Sequence, residues 1–278
     1  MNKVNLNYLY LLIFFIITIL LRLYNINYDD FWIDEIISFY VSDPDISIKE
    51  FFLRHKTLEN SPFLFNLILR IYFDIFGYNT DIARLFPAFC NIFSIFILVY
   101  FYKKYLDGKS FVLILTLLAF NIYSIKYSQE LRLYSWYLLI FISNIYFFYK
   151  LINFKEKSKI NNVLFLITSI LLILTHPFSL IIIFSYSVFV IHFFLVNKYF
   201  PINLLKNLVI INIFSIIFLI FFVLNTTHQP IWIENIDLKF FTNFFFSKFF
   251  GSRLVGGIYL LVFIYLIFRV FKDIFYRS

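Results

Sequence analysis

The amino-acid sequence predicts an all-α polytopic membrane helix bundle of about eight transmembrane helices, with interfacial helices in its first outer loop. Three observations predict it. First, the chain is 62% hydrophobic and only 14% charged, whereas a soluble domain is near half apolar with about a quarter charged. Only a hydrocarbon solvent accommodates so much outward-facing Phe, Ile and Leu. Second, apolar runs recur at roughly 8–24, 85–102, 110–126, 133–150, 161–175, 177–196, 207–225 and 254–271, and most can span at about 1.5 Å per residue. Third, basic residues sit mostly at the ends of those runs, where they set orientation. The net charge of +8 is therefore not the one-sided patch of a nucleic-acid binder.

The first run follows Lys3 and resembles a signal peptide. No small-x-small cleavage site follows, since the chain continues Leu21-Arg22-Leu23-Tyr24-Asn25, and it reads as a retained signal anchor. Residues 61–77 are helical in pattern but carry Arg70 and Asp74. If they do not span, the short inner segments hold Lys103, Lys104, Lys109, Lys150, Lys155, Lys157, Lys159, Lys198, Lys206, Arg269, Lys272 and Arg277. With Lys3 these are 13 of the 24 basic residues. If 61–77 did span, the later loops would invert and the positive-inside pattern would fail. The segment is therefore read as an interfacial or re-entrant helix, and both termini as cytoplasmic. Between the fifth and sixth runs, Thr175-His176-Pro177 predicts a tight turn and a helical hairpin, because proline lacks an N–H and disfavours helix at the residue before it.

The whole chain, 1–278, thus reads as one transmembrane domain, with a first outer loop over about 25–84 and a last one over about 226–253. This topology sorts the acids. Asp107, Glu156 and Asp273 lie inside, and the other 13 of 16 lie outside, ten of them between Asp29 and Asp81. Acids do not enter the positive-inside rule, so their sorting is separate information, and it points to chemistry or binding on the outer face. The single cysteine, Cys90, excludes an internal disulfide and a Cys-based metal site.

Candidate groups lie at four places on that face. Asp29-Asp30-Phe31-Trp32-Ile33-Asp34-Glu35 offers a carboxylate beside aromatic rings as general base; Asp30 or Asp34 is equally able to cap the helix that follows. Lys126-Tyr127-Ser128-Gln129-Glu130-Leu131-Arg132-Leu133-Tyr134 is the whole turn between the third and fourth runs. It is either a polar turn or a phosphate and sugar site, since the arginine fork binds two oxygens at once. His176 is a turn residue or a ligand. Glu59-Asn60-Ser61-Pro62 is explained by capping alone, with Asn60 or Ser61 at the N-cap and Pro62 first in the helix. The last outer loop, His228 to Glu234 and the Phe-rich 240–250, fits an interfacial segment.

Taken together, Asp34-Glu35, Ser61-Pro62-Phe63-Leu64-Phe65, Phe76-Gly77, Ala83-Arg84-Leu85-Phe86-Pro87-Ala88, Tyr127-Ser128-Gln129-Glu130-Leu131-Arg132-Leu133-Tyr134 and Thr175-His176-Pro177 resemble the GT-C glycosyltransferases. Within that superfamily the residues resemble in particular the protein O-mannosyltransferase-like and aminoarabinose-transferase-like membrane enzymes. The resemblance covers about residues 8–250, and its most specific part is the Tyr-Ser-Gln-Glu-x-Arg-x-Tyr turn. It implies transfer of a hexose or pentose from a polyprenyl-phosphate donor to a protein, lipid or glycan acceptor on the outer face. It also implies an amphipathic helical first outer loop beside the active site. Where relatives often read His-Pro-Pro-Leu-Tyr-Tyr, this chain reads Asn60-Ser61-Pro62-Phe63-Leu64-Phe65, so no role for that histidine carries over. Relatives are also usually longer.

Inverting transfer needs a base for the acceptor hydroxyl, assigned to Asp34 with Glu35 as its alternate. It needs positive charge at the departing phosphate, assigned to Arg132 with Lys126 or His176 assisting. Glu130 is expected to orient Arg132 or bind sugar hydroxyls, with Tyr134 in the same donor site, and Phe-rich spans to line a groove for the lipid tail. No His-x-x-His or comparable set demands a metal, and a divalent ion stays open. Two other readings, a transporter or flippase of lipid-linked sugars and a non-catalytic truncated scaffold of glycan assembly, explain the outer charges without transfer. Transporters tend to carry polar or broken helices at mid-membrane in related halves, and no such halves are visible here.

Overall fold

A computed structural model of the protein describes residues 8–102, 108–152, 158–197, 202–225 and 252–276. These are helical, with no strand among them. The helices are α1 (Tyr8–Leu23), α2 (Ile33–Val41), α3 (Ile48–Leu58), α4 (Leu64–Phe76), α5 (Thr80–Ala83), α6 (Leu85–Ile97), α7 (Gly108–Phe120), α8 (Ile122–Ser128), α9 (Tyr134–Ile152), α10 (Lys159–Thr175), α11 (Ser179–Asn197), α12 (Ile202–Asn225) and α13 (Arg253–Tyr276). Residues 226–251 of the last outer loop and Lys3, Lys103, Lys104, Asp107, Lys155, Glu156, Lys157, Lys198 and Arg277 lie outside the described residues.

Every apolar run coincides with helix, but four helical stretches among the described residues are both long and apolar enough to cross a membrane: Thr80–Phe101, Tyr134–Ile152, Ser179–Val196 and Ile202–Phe222. Leu12–Leu23 and Lys159–Thr175 are apolar but shorter. The run at 110–126 is not one helix. It breaks at Asn121, whose side chain accepts from the N–H groups of Tyr123 and Ser124 and so starts α8 afresh, because asparagine satisfies two free N–H groups that a helix start leaves open. Exposed Ile213, Ile216, Ile217, Ile220 and Leu224 on α12 suit hydrocarbon rather than water.

The chain divides into two compact units, Met1–Ser185 with Pro201–Thr227, and Tyr186–Phe200 with His228–Ser278. The second contains the latter part of α11 and α13. In the first, α9 packs between α6 and α10, and α10 packs on α12. Its core joins Ile95 and Leu98 to Phe111, Leu115, Ala119, Ile142 and Tyr146, with Tyr146 stacked on Phe101 at 4.1 Å.

Helices α2 to α5, between α1 and α6 in the chain, form a cap on this unit. Phe65, Leu69 and Phe73 of α4 and Ala83 of α5 form a core with Leu131 and Leu133, and Phe39 of α2 packs against it. Helix α4 has 13 residues, about 20 Å at 1.5 Å per residue, which is short of a ~30 Å hydrocarbon layer. It buries Phe65, Leu69 and Phe73 and ends at Gly77 with φ +100°, a conformation that favours glycine. Arg70, which argued against a span, donates to the carbonyls of Pro44 and Ile46. Neither Asn60 nor Ser61 caps α4. The N-cap position is Phe63, and Ser61 instead donates to Glu59.

One buried arginine ties α1 to the bundle. Arg22 is fully buried and donates to Asn91 Oδ1 (2.6 Å), to the carbonyls of Thr18 (3.2 Å), Ala119 (3.0 Å) and Leu118 (3.1 Å), and to Ser124 Oγ (3.3 Å). Two of these carbonyls belong to the C-terminal turn of α7, where a cation is favoured. Arg22→Met is expected to destabilise the protein by about 3 kcal/mol or more, because several buried acceptors lose their donor at about 1–3 kcal/mol each. Thermal unfolding in detergent measures this, and a loss below about 1 kcal/mol would show that the network does not anchor α1.

Candidate functional site

The predicted outer-face residues come from widely separated parts of the chain, and the contacts bring them to one end of the first unit. Gln129 Nε2 donates to the carbonyls of Leu21, Arg22 and Tyr24, closing the end of α1. Asn25, with φ 51°, turns the chain out of that helix. Arg84, between α5 and α6, donates to the carbonyls of Ile26 (3.1 Å), Asp29 (2.7 Å) and Asp30 (3.2 Å). It thereby fixes the loop that leads into α2.

Asp34 and Glu35 both lie in the first turn of α2, where helix N–H groups favour carboxylates. One residue apart on a helix is about 100° of rotation, so the two side chains part company. Glu35 is fully buried and takes a two-pronged pair from Arg84, Nη2 to Oε2 at 2.7 Å and Nε to Oε1 at 2.9 Å. It also accepts from the N–H of Leu131 at 2.7 Å and of Trp32 at 3.4 Å. With Arg84 set over the Phe31 ring at 5.0 Å, this is a structural strut between α2, α6 and the α8–α9 turn. Its oxygens are taken, so the geometry does not support Glu35 as an alternate base. Neither Asp30 nor Asp34 caps α2, because the N-cap position belongs to Trp32.

Asp34 is different, with a side chain 38% exposed and Oδ2 3.9 Å from Arg132 Nη2. Arg132 reaches it because its neighbours Leu131 and Leu133 are sunk in the aromatic core of the cap, leaving the arginine to face the other way. Its Nη1 donates to Ser38 Oγ (3.0 Å), Asp34 O (3.2 Å) and Glu59 Oε1 (3.3 Å). Ser38 stands one helical turn after Asp34 on the same face and also donates to Glu59 at 3.1 Å. Glu59 is buried, and burial pushes its carboxyl above the usual range, with Arg132 and its hydrogen bonds to Ser38 and Asn66 pulling the other way.

Glu59 pairs with Arg132, a contact that explaining Glu59-Asn60-Ser61-Pro62 by capping alone does not anticipate. A signal was available, because Glu59 lies in the acid-rich stretch between Asp29 and Asp81. Its pairing with Arg132, 73 residues away, was not. Glu130, expected to orient Arg132, pairs instead with Lys126 at 3.7 Å. Burial raises the Glu130 carboxyl as well, with Lys126 opposing.

Lys126, Glu130 and Tyr134 line a cavity of about 420 Å³ together with Trp32, Gln129 and the Glu35–Arg84 pair. That volume lies in the range of small-molecule sites, about 300–1,000 Å³. Asp34 and Arg132 are not in this lining, but Glu35 and Glu130, one and two residues from them in the chain, are. His176 sits in the predicted tight turn. Its Nδ1 accepts from the N–H of Phe178 at 3.0 Å, and its ring lies 5.6 Å from that of Tyr137. Burial first and the charge of Arg132 second lower its pKa. Both effects favour the neutral ring. Among the described residues no three His, Cys, Asp or Glu side chains gather as a metal-binding group.

The fold and site define a helical membrane protein with a charged, part-open cleft at one end. Comparison with known proteins adds no family to this, since no family model, curated protein or solved structure matches the chain.

Proposed function

We propose that this protein is a membrane glycosyltransferase of the GT-C kind, moving a sugar from a polyprenyl-phosphate donor to an acceptor on the non-cytoplasmic face. The carrying observation is the part-exposed Asp34 carboxylate 3.9 Å from the Arg132 guanidinium, beside a cavity lined by groups of both charges. In the proposed inverting step, Asp34 takes the proton from the acceptor hydroxyl. The acceptor oxygen forms a bond to the anomeric carbon as the carbon–oxygen bond to phosphate breaks. The electron pair of that bond leaves with the phosphate, whose charge Arg132 meets. Glu130, Lys126 and Tyr134 hold sugar hydroxyls or phosphate oxygens at the cavity wall.

The proposed topology has eight spans, both termini cytoplasmic, and the site outside. It is supported by the way α1 and α10 end, and α6, α9 and α11 begin, at the same end of the first unit. The test is the full chain in liposomes with polyprenyl-phosphate hexoses and pentoses carrying labelled sugar, offered to membrane and cell-wall extracts. Transfer of label to an extract component by the wild type, and its loss in Asp34→Asn, is the expected result. Label that crosses the bilayer while remaining on the lipid would replace transfer by transport.

A further inference from the structure

The two edges of Arg132 are occupied unequally. Nη1 is committed to Ser38, Asp34 O and Glu59. Nη2 has the long 3.9 Å pair with Asp34, and the buried Nε has no partner among the described residues. Nε and Nη2 share one side of the planar guanidinium, and such an edge grips two oxygens of one oxyanion. A buried donor left unpaired is costly, and an oxyanion on this edge removes the cost.

Glu59 stands at the other edge. Its side chain is 4% exposed, and Ser61 Oγ lies 3.5 Å from its second oxygen. It also reaches the wall of a second cavity of about 400 Å³, with His55 and Lys56 among phenylalanines. Proton exchange with Glu59 therefore has a way in that does not pass Arg132.

We propose that Arg132 takes a phosphodiester oxyanion on its Nε–Nη2 edge and that this uptake is coupled to protonation of Glu59. The inference rests on the donor-phosphate role given to Arg132 above. In the empty site one guanidinium is shared by two carboxylates, and an arriving oxyanion makes three anions around one cation. Asp34 is part exposed and keeps its hydration, whereas buried Glu59 gives up least by losing its charge.

The charged and titratable groups facing Glu59 are Arg132 from the α8–α9 turn, Asp34 from α2, and His55 and Lys56 from α3. From α4 it meets the neutral Asn66. His55 is lowered to about 4 by burial, its hydrogen bond with the Pro62 backbone opposing, so it stays neutral. Asn66 is fully buried and its Oδ1 has no partner among the described residues. With its amide turned over, Asn66 accepts the proton that a neutral Glu59 donates. Glu59 is thus a positioning residue acting through Arg132.

The occupied site holds more protons than the empty one, so binding strengthens as pH falls. Within the window where Glu59 titrates, which lies above the ordinary carboxylate range, Kd rises by up to about tenfold per pH unit. The test uses the full chain in nanodiscs and geranyl methyl phosphodiester as the probe, whose single charge does not titrate there. Calorimetry in buffers of different ionisation heat reads the protons taken up on binding, a quantity that a merely structural role leaves at zero. The wild type is expected to take up a proton. Glu59→Gln is expected to take up none, to lose the pH dependence, and to bind about tenfold tighter at the high-pH end.

Binding without proton uptake at any pH, or a Glu59→Gln variant as pH-dependent as the wild type, overturns the proposal. Arg132→Ala separates the two levels. If it binds the probe as the wild type does, the donor-phosphate role falls and the inference with it. If it loses binding while Glu59→Gln behaves as wild type, only the inference falls. Repeating the titration with dimethyl phosphate tells the sources apart. Coupling with the prenyl probe alone assigns a lipid-borne diester, coupling with both assigns the diester group itself, and either result upholds the proposal.

Discussion

Asp34→Asn is expected to lower the rate of sugar transfer at saturating donor by about 10²–10⁴-fold, the usual contribution of a general base, with donor affinity changed by only a few-fold. Asparagine keeps the shape of the side chain, and the backbone carbonyl of residue 34 that receives Arg132 Nη1 at 3.2 Å is untouched. What disappears is the oxygen that accepts the acceptor's proton. Stability is expected to change by under about 1 kcal/mol, because the lost ion pair is long and Asp34 is 38% exposed. Thermal unfolding in the same detergent checks that the loss is chemical rather than structural. A variant that folds normally and transfers at an undiminished rate would remove Asp34 from the mechanism.

Arg84→Ala is expected to cost about 3–5 kcal/mol, the usual penalty for stripping one partner from a buried ion pair. Glu35 would be left fully buried without its cation, and the carbonyls of Ile26, Asp29 and Asp30 would lose their donor. The same pair ties α2 to the N–H of Leu131, the neighbour of Arg132, so transfer is expected to fall with stability. The double replacement Glu35→Met with Arg84→Met is expected to be more stable than Arg84→Ala, because it removes the uncompensated charge as well. Thermal unfolding of the three proteins orders them. A double variant no more stable than Arg84→Ala would mean that lost loop hydrogen bonds, not the orphaned carboxylate, dominate the cost.

The helical runs were legible in the sequence because solvent chemistry writes them in composition: a stretch of 17 to 20 apolar residues has few alternatives to helix in a bilayer. The turn at Thr175-His176-Pro177 was equally legible, since proline acts through its own covalent geometry. The break at Asn121 inside the third run was present as a capping residue but hidden by apolar neighbours on both sides. That the Asp34 region, Arg132 and His176 gather at one end followed from counting crossings. It needed no packing detail.

The pairing of charges needed all of it. Asp34 and Glu35 are adjacent in sequence, the one assigned as base and the other as its alternate, yet a rotation of about 100° along α2 leaves Asp34 part exposed and sends Glu35 to Arg84, 49 residues away. Glu130, two residues from Arg132, was expected to orient it or to bind sugar hydroxyls, and it is Glu59, 73 residues away, that pairs with Arg132. By itself the sequence determined that the apolar runs are helical, because local covalent preference and transfer from water act on each segment separately. Only the tertiary structure decided which carboxylate meets which guanidinium, because an ion pair depends on a few ångströms of separation that the packing of distant helices sets.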